Sequence, residues 1–439
     1  MTPSLILIGL LTSVCWWKVR ALGDIRLHLA AFYGWFALAF CGYLTALWLI
    51  HQLSARAIPR RTTGWLLGIV AIGAVIFRMI LLPTVPTLSD DVYRYRWDGL
   101  VQQAGIDPYA YPPNAPELAF LRDEQFSRIN FPHLRTVYPP ATQLAFRAGA
   151  VIGETVTAQK LVFVLSEALI GLCLIAVLRA RRMHPLWVVA YAWHPLAILE
   201  VAGSGHNDVV GLVALWAGLA AWQHRRPAGA AVGWAVALLA KYATVILVPW
   251  WLFRRSARRW LLVFGLLSAL PLIASPAIML ALFESLSTMT TRFESNASVY
   301  VLLAALVGHA GIARALVIGA WVVFLLWWAW REEDPARYLC GGLAAAALLS
   351  PVLHPWYLLW LLPFLCLWRI PVLLALSGVV VLAYAVWPGY LSGGAWVVPV
   401  WARVGEYVVV AVVALWSVRR WWWELFFRLA TKRPLLAKS

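Results

Sequence analysis

Two adjacent carboxylates open the longest polar segment of a very apolar chain. They stand in Ser89-Asp90-Asp91-Val92-Tyr93-Arg94-Tyr95-Arg96-Trp97-Asp98-Gly99, directly after an apolar span. Side-by-side acids repel, which tends to raise one pKa and poise that group as a general base. Arg94 and Arg96, about one helical turn on, can offset the charge or bind a phosphate. The same doublet also suits a first helical turn, where acids satisfy the helix dipole. On these residues alone both readings stay open.

A second constellation is Trp193-His194-Pro195, Glu200 and Gly203-Ser204-Gly205-His206-Asn207-Asp208. Ionisable residues at a broken helix near a membrane interface usually line a site. A polar inter-helix turn explains Ser204 and Asn207 well, and Glu200, inside an apolar run, poorly. The spacing His194/His206/Asp208 fits no known metal-ligand pattern. Lys241 stands alone in Leu238-Leu239-Ala240-Lys241-Tyr242-Ala243, where a cation can hold a lipid phosphate or snorkel to the surface. Two further polar turns are Arg292-Phe293-Glu294-Ser295-Asn296-Ala297-Ser298 and Leu353-His354-Pro355-Trp356-Tyr357, in which Arg292 and His354 are candidate phosphate contacts.

The elements that must position these residues are membrane helices. The chain is 63% hydrophobic and 13% charged, with a mean hydropathy of +0.77, far too little charge for a soluble surface. Apolar runs at 4–17, 29–50, 64–82, 160–178, 186–203, 208–222, 227–253, 260–283, 311–330, 338–353, 356–368, 371–387 and 400–418 predict an all-α polytopic bundle. Several runs are shorter than the ~20 residues a straight crossing needs, so about 13–14 spans include short or re-entrant ones.

A net charge of +17 invites a nucleic-acid reading, but the basic residues fall in short clusters between apolar runs, among them Arg179/Arg181/Arg182, Arg225/Arg226 and Arg254/Arg255/Arg258/Arg259. That is a topology signal and argues against nucleic acid as a partner. It also makes 227–253 a puzzle, because both flanks call for the cytoplasm: one long crossing separates them, whereas the favoured reading, a hairpin of two half-helices with its tip near Lys241, keeps them together. Lys18, Arg20 and Arg26 then fall on the outer side, against the pattern.

The segment 83–159 becomes the first large external loop of a single membrane domain, 1–439. Ser89 as N-cap and Gly105 as C-cap predict a helix over about 90–104 lying along the outer face. The prolines after it predict an irregular return to the membrane. The five scattered cysteines read as small buried hydrophobes, and Met1–Trp17 as a retained first span.

Taken in order, the acid doublet with Gly105-Ile106-Asp107-Pro108-Tyr109 and Val137-Tyr138-Pro139-Pro140, then Trp193-His194-Pro195, Gly205-His206-Asn207-Asp208, the Lys241 span, Phe293–Ser298 and His354-Pro355-Trp356-Tyr357, resemble the blocks of the GT-C superfamily of membrane glycosyltransferases. The closer resemblance is to the bacterial branch using polyprenyl-phosphate sugars, including mannosyltransferases. It covers nearly the whole chain. It implies a GT-C type bundle whose outer-face loop carries an interfacial helix. It further implies a polyprenyl-phosphate sugar donor, a glycolipid, glycan or protein acceptor in the lipid bilayer, and an active site on the extracytoplasmic side of a bacterial inner membrane. Asp90, with Asp91 second, is implied as the catalytic base. Lys241, Arg292, His206, His354 and Arg94 are implied for the donor phosphate. Tyr93, Tyr138, Glu200, Asn207, Asp208, Asn296, Trp356 and Tyr357 are implied to line the substrate. No metal and no cofactor are expected. A glycan ligase or polymerase, and a lipid-sugar flippase, are the alternatives; a flippase should show two related halves, and none is visible.

Overall fold

The computed structural model of the chain describes residues 2–54, 56, 58–254, 257–275, 278–284 and 294–430, with side chains of the last helix described as far as 419. Arg292 lies outside the described residues. Among the described residues the architecture is all-α, the β content being one isolated bridge between Ser295 and Val352.

Three long apolar helices come first: α1 (Thr2–Ala21), α2 (Leu29–Ser54) and α3 (Arg60–Leu81). Two short helices of the polar segment follow, α4 (Asp91–Gln103) and α5 (Pro140–Ile152), then the long α6 (Val156–Ala180). A broken crossing comes next, built from 3-10 turns, α7 (Val189–Ala192), α8 (Pro195–Ile198) and a π-turn at Leu199–Gly203. Its halves meet at 56°. The break is local chemistry: Pro195 cannot donate to a continuing helix, and His194 takes extended backbone while its Nδ1 accepts the Leu196 N–H at 3.2 Å. Gly205, at φ +77°, then reverses the chain into α9 (Asp208–Gln223).

The apolar run 227–253 is a hairpin. α10 (Pro227–Ala240) ends at Lys241, which is extended, and the chain returns through a 3-10 turn into α11 (Leu247–Phe253). Trp234 meets Trp251 at 5.3 Å and Trp222 meets Trp250 at 5.2 Å, so the return arm runs back beside α9 and α10. The rest comprises α12 (Arg258–Ala274), α13 (278–284), α14 (Val299–Val307), α15 (Ala310–Arg331), α16 (Pro335–Leu349), 3-10 turns over Pro355–Cys366, α17 (Pro371–Val379), α18 (Val386–Leu391) and α19 (Val400–Ala430).

Among the described residues seven helices are long and apolar enough to cross a membrane, and the bent pair makes an eighth. Leu266, Ile273, Leu306 and Leu415 point outward, each at least two-thirds exposed, as residues that face lipid do. This is an integral membrane protein.

The polar segment departs from expectation in two ways. α4 does not lie on a surface: every residue from Val92 to Val101 is buried. Gly99 lets it press on α5, since a Cβ there would come within 2.4 Å of the Phe146 carbonyl oxygen. Tyr95 stacks on Phe146 at 4.8 Å, and Arg94 pairs with Asp98 at 2.9 Å inside the same core. The expected irregular return is partly helix, because Pro140 takes the first position of α5, where its missing N–H costs nothing.

One buried charge pair holds this half together. Arg78 of α3 grips Glu167 of α6 through two hydrogen bonds of 2.6 and 2.7 Å, and also donates to the Ala74 and Ala192 carbonyls. Breaking such a pair leaves an uncompensated buried charge. Glu167→Ala should therefore lower stability by about 3–5 kcal/mol, read as a fall in Tm; an unchanged Tm would show the pair to be dispensable. Lys160 of α6, fully buried, donates to the Leu81 and Thr84 carbonyls (3.2 and 2.8 Å) and fixes the turn that leads to the acid doublet.

Candidate active site

The two acids of the doublet face different ways. Asp90 stands at the N-cap position of α4 with no side-chain capping bond and pairs with Arg128 at 2.6 Å. Arg128 also donates to the Tyr93 hydroxyl and lies over that ring at 4.2 Å. Asp91 instead turns into a cleft, with 30% of its side chain exposed and its Oδ2 3.9 Å from His206 Nδ1. Burial pushes its carboxyl up to about 6; Lys241 and the Asn130 amide pull the other way, while Asp208 and Asp90 add to the rise. A carboxylate of that strength, open to a cleft, is suited to accept a proton near neutral pH.

The floor of the cleft is the broken crossing. His206 is 1% exposed and its ring stacks on Trp356 at 4.1 Å, and His354 stacks on the other side of Trp356 at 4.3 Å. Burial lowers His206, helped by Lys241 and His354, and lowers His354 to about 4, so both imidazoles are neutral. Asp208 Oδ1 accepts from Lys241 Nζ at 2.5 Å and from Trp360 Nε1 at 2.6 Å. Lys241 keeps 30% of its side chain exposed. An ammonium carries three donors, so the pair leaves Lys241 donors for an anion. Both nitrogens of His206, both amide atoms of Asn207, Asp208 Oδ2 and Glu200 Oε2 are buried with no hydrogen-bond partner. Buried polar atoms are normally paired. These unpaired atoms lie beneath Asp91 and Lys241, the two partly exposed charged groups of the site.

The other expected residues are distributed as follows. Tyr357, 40% exposed, and Tyr138 lie close enough to Asp91 to feel its charge. Tyr93 is buried and engaged by Arg128. Arg94, expected at the donor phosphate, is buried and donates to Asp98 and the Leu134 carbonyl. Glu200, expected to line substrate, is fully buried behind His206, its Oε1 accepting from the Tyr384 hydroxyl at 2.7 Å. Asn296 donates to Glu406 of α19 at 3.0 Å; its neighbour Ser295 bonds Pro351 and Leu353, next to His354. Among the described residues no three His, Cys, Asp or Glu side chains converge in metal-ligand geometry, and His194 turns away to Ser377 at 3.0 Å.

Sequence reasoning missed Arg128, Asn130, Trp360 and Tyr384. The doublet's need for a counter-cation pointed to Arg94 and Arg96, which pair instead with Asp98 and Asp123, while Arg128 answers Asp90.

Residues 12–255 match the family described as "Alpha-(1->6)-mannopyranosyltransferase, N-terminal domain". The chain belongs to this family. The match covers more than half of the chain and bears out the resemblance to the mannosyltransferase branch. It includes Asp90, Asp91, Glu200, His206, Asp208 and Lys241, whereas His354, Trp356, Trp360 and Tyr384 lie beyond it. Alpha-(1->6)-mannopyranosyltransferase A of Mycobacterium tuberculosis (strain ATCC 25618 / H37Rv) is 26% identical over 330 residues, 65% of this chain and 62% of the relative. The chain thus spans less than two thirds of that relative's length. No solved structure matches the chain.

Proposed function

We propose that this protein is an inverting mannosyltransferase, which moves mannose from a polyprenyl-phosphate donor to a hydroxyl of a glycolipid, glycan or protein acceptor. The observation that carries the reading is the meeting of Asp91, His206, Asp208 and Lys241 at one cleft, all inside the stretch matched to the mannosyltransferase family. Asp91 takes the proton of the acceptor hydroxyl as its oxygen attacks the anomeric carbon in line. The bond to the phosphate breaks on the opposite face, and Lys241 holds the departing phosphate. Fixed donors in a dry site stabilise such developing charge well. One displacement inverts the anomeric centre.

The cleft belongs on the extracytoplasmic side of a bacterial inner membrane. The reading is supported by Arg179, Arg225, Arg226 and Arg254, which sit at the opposite end of the helices that carry it. Of the basic residues that break this pattern, Arg26 is neutralised by Asp24 at 2.8 Å.

The test is transfer of radiolabelled mannose from synthetic polyprenyl-phosphate mannose into membrane lipids by the purified protein. Asp91 must be ionised to act, so kcat/KM should rise with pH through about 6 and level off above it. No transfer with a donor that binds would overturn the donor and favour a ligase or flippase. A profile flat across that range would remove Asp91 as the base.

A further inference from the structure

We propose that Glu200 and His206 are positioning residues for Asp91: Glu200 donates through its Oε2–H to His206 Nε2, and His206 thereby turns its Nδ1–H on the Asp91 carboxylate. The inference rests on Asp91 being the base and adds what aims it.

The geometry is a line of groups running from the cleft into the core. Asp91 Oδ2 lies 3.9 Å from His206 Nδ1, and His206 Nε2 lies 3.4 Å from Glu200 Oε2. Glu200 Oε1 accepts from Tyr384 at 2.7 Å, and the Ser204 side chain also lies within hydrogen-bonding reach of the carboxyl. Neither His206 nitrogen nor Glu200 Oε2 makes a hydrogen bond in this structure, so these close approaches are what is left to them. Hydrogen bonds of a catalytic group are often long before substrate binds, and tighten in the complex. The ring has little freedom to seek partners elsewhere. Trp356 covers its face at 4.1 Å, its backbone N–H is tied to the Glu200 carbonyl at 2.9 Å, and the preceding Gly205 is packed so closely that a Cβ would meet Lys160 Cγ at 2.9 Å.

Counting hydrogens fixes the roles. A neutral imidazole has one N–H and one lone pair. When Asp91 is ionised and ready to act, the N–H must face it. The lone pair on Nε2 then faces Glu200, which must offer a hydrogen. Oε1 is already accepting from Tyr384, so that hydrogen is on Oε2, the oxygen nearest Nε2. The other charged or titratable groups that face this line are Asp90, Asp208, Lys241, His354, Tyr95, Tyr138 and Tyr357, besides Tyr384.

The scheme makes an asymmetric forecast. Glutamine at 200 keeps both bonds, since its amide N–H can donate to Nε2 and its oxygen accept from Tyr384. Leucine keeps neither. The readout is pH-titrated infrared difference spectroscopy of the full-length protein in nanodiscs, with the Asp91 carboxyl band identified by its loss in Asp91→Asn. Glu200→Leu should move the Asp91 midpoint upward by about half a pH unit or more, because the ionised carboxylate loses a donor. It should lower kcat about 10-fold, with KM within about twofold. Glu200→Gln should restore the midpoint and most of the rate. His206→Phe, which preserves stacking on Trp356, should shift the midpoint as Leu does and decides the matter should Glu200→Leu not fold. An unmoved midpoint in Leu and Phe, or a Gln variant as impaired as Leu, overturns the proposal. The infrared midpoint needs no donor. A protein that transfers no mannose would thus sink the substrate assignment while the aiming of Asp91 is still judged.

Discussion

Asp91→Asn should lose roughly 10²–10⁴-fold in turnover and melt no earlier than the wild type. The loss follows from removing the proton acceptor; the unchanged melting follows from linkage. Burial holds the Asp91 carboxyl at about 6, above the ordinary ~3.9 of an aspartate. Between those values the folded chain binds the proton more tightly than the unfolded chain. Stability therefore falls as pH rises through that window, and above it the ionised group is a standing cost. Asparagine removes the cost, so at neutral pH the Tm should hold or rise. Asp90→Asn should do the reverse. It strips Arg128 of its 2.6 Å partner and loosens the Tyr93 contact, at a cost on the order of 1 kcal/mol for a partly buried pair, while turnover drops less than about 10-fold. Melting curves and label transfer on the two variants decide between the acids. Should Asp90→Asn be the one that abolishes transfer in a stable protein, the base is Asp90.

Lys241→Met should lower kcat about 10²–10³-fold, the scale of losing one charge-stabilising donor in a dry site. It should also destabilise the fold, because Asp208, 1% exposed, keeps only the Trp360 bond to one oxygen while the other stays unpaired. A stranded buried acceptor costs roughly 1–3 kcal/mol. The double variant Lys241→Met/Asp208→Asn separates the two effects. It should recover most of the lost Tm and none of the lost rate. A double variant that regains both would make the lysine a structural counter-ion to Asp208 and nothing more.

The crossings were legible because apolar run length is a one-dimensional quantity. The hairpin at Lys241 was legible because Arg225/Arg226 and Arg254 had to share a side. The helix after the acid doublet was legible from Gly105, which takes φ +78° just past its end, although the N-cap position is Asp90 and not the expected Ser89. What escaped was non-local. Arg128 meets Asp90 across 38 positions, Tyr384 meets Glu200 across 184, and Glu406 meets Asn296 across 110. No local pattern encodes such pairs. Glu200 stood out in sequence as a carboxyl within an apolar run. Whether it faced the cleft or stood behind His206 depended on a π-turn that only the packed helices define. α5 escaped for a different reason: Pro139-Pro140 signals a loop end and a helix start equally well.

The hairpin arm α10 has 14 residues, about 21 Å of rise at 1.5 Å per residue. The hydrocarbon layer of a bilayer is ~30 Å deep. With its first residue at the inner edge of that layer, the tip at Lys241 falls short of the level reached by α2 or α6, which run 26 and 25 residues. Either lipid thins around this corner, or the ammonium sits below the plane of the surrounding headgroups. Both put the cation at a depth where the donor proposed above can keep its prenyl tail in oil while its phosphate is pulled upon. Bilayer thickness is thus one of the dimensions of the cleft, set by the membrane as much as by the protein.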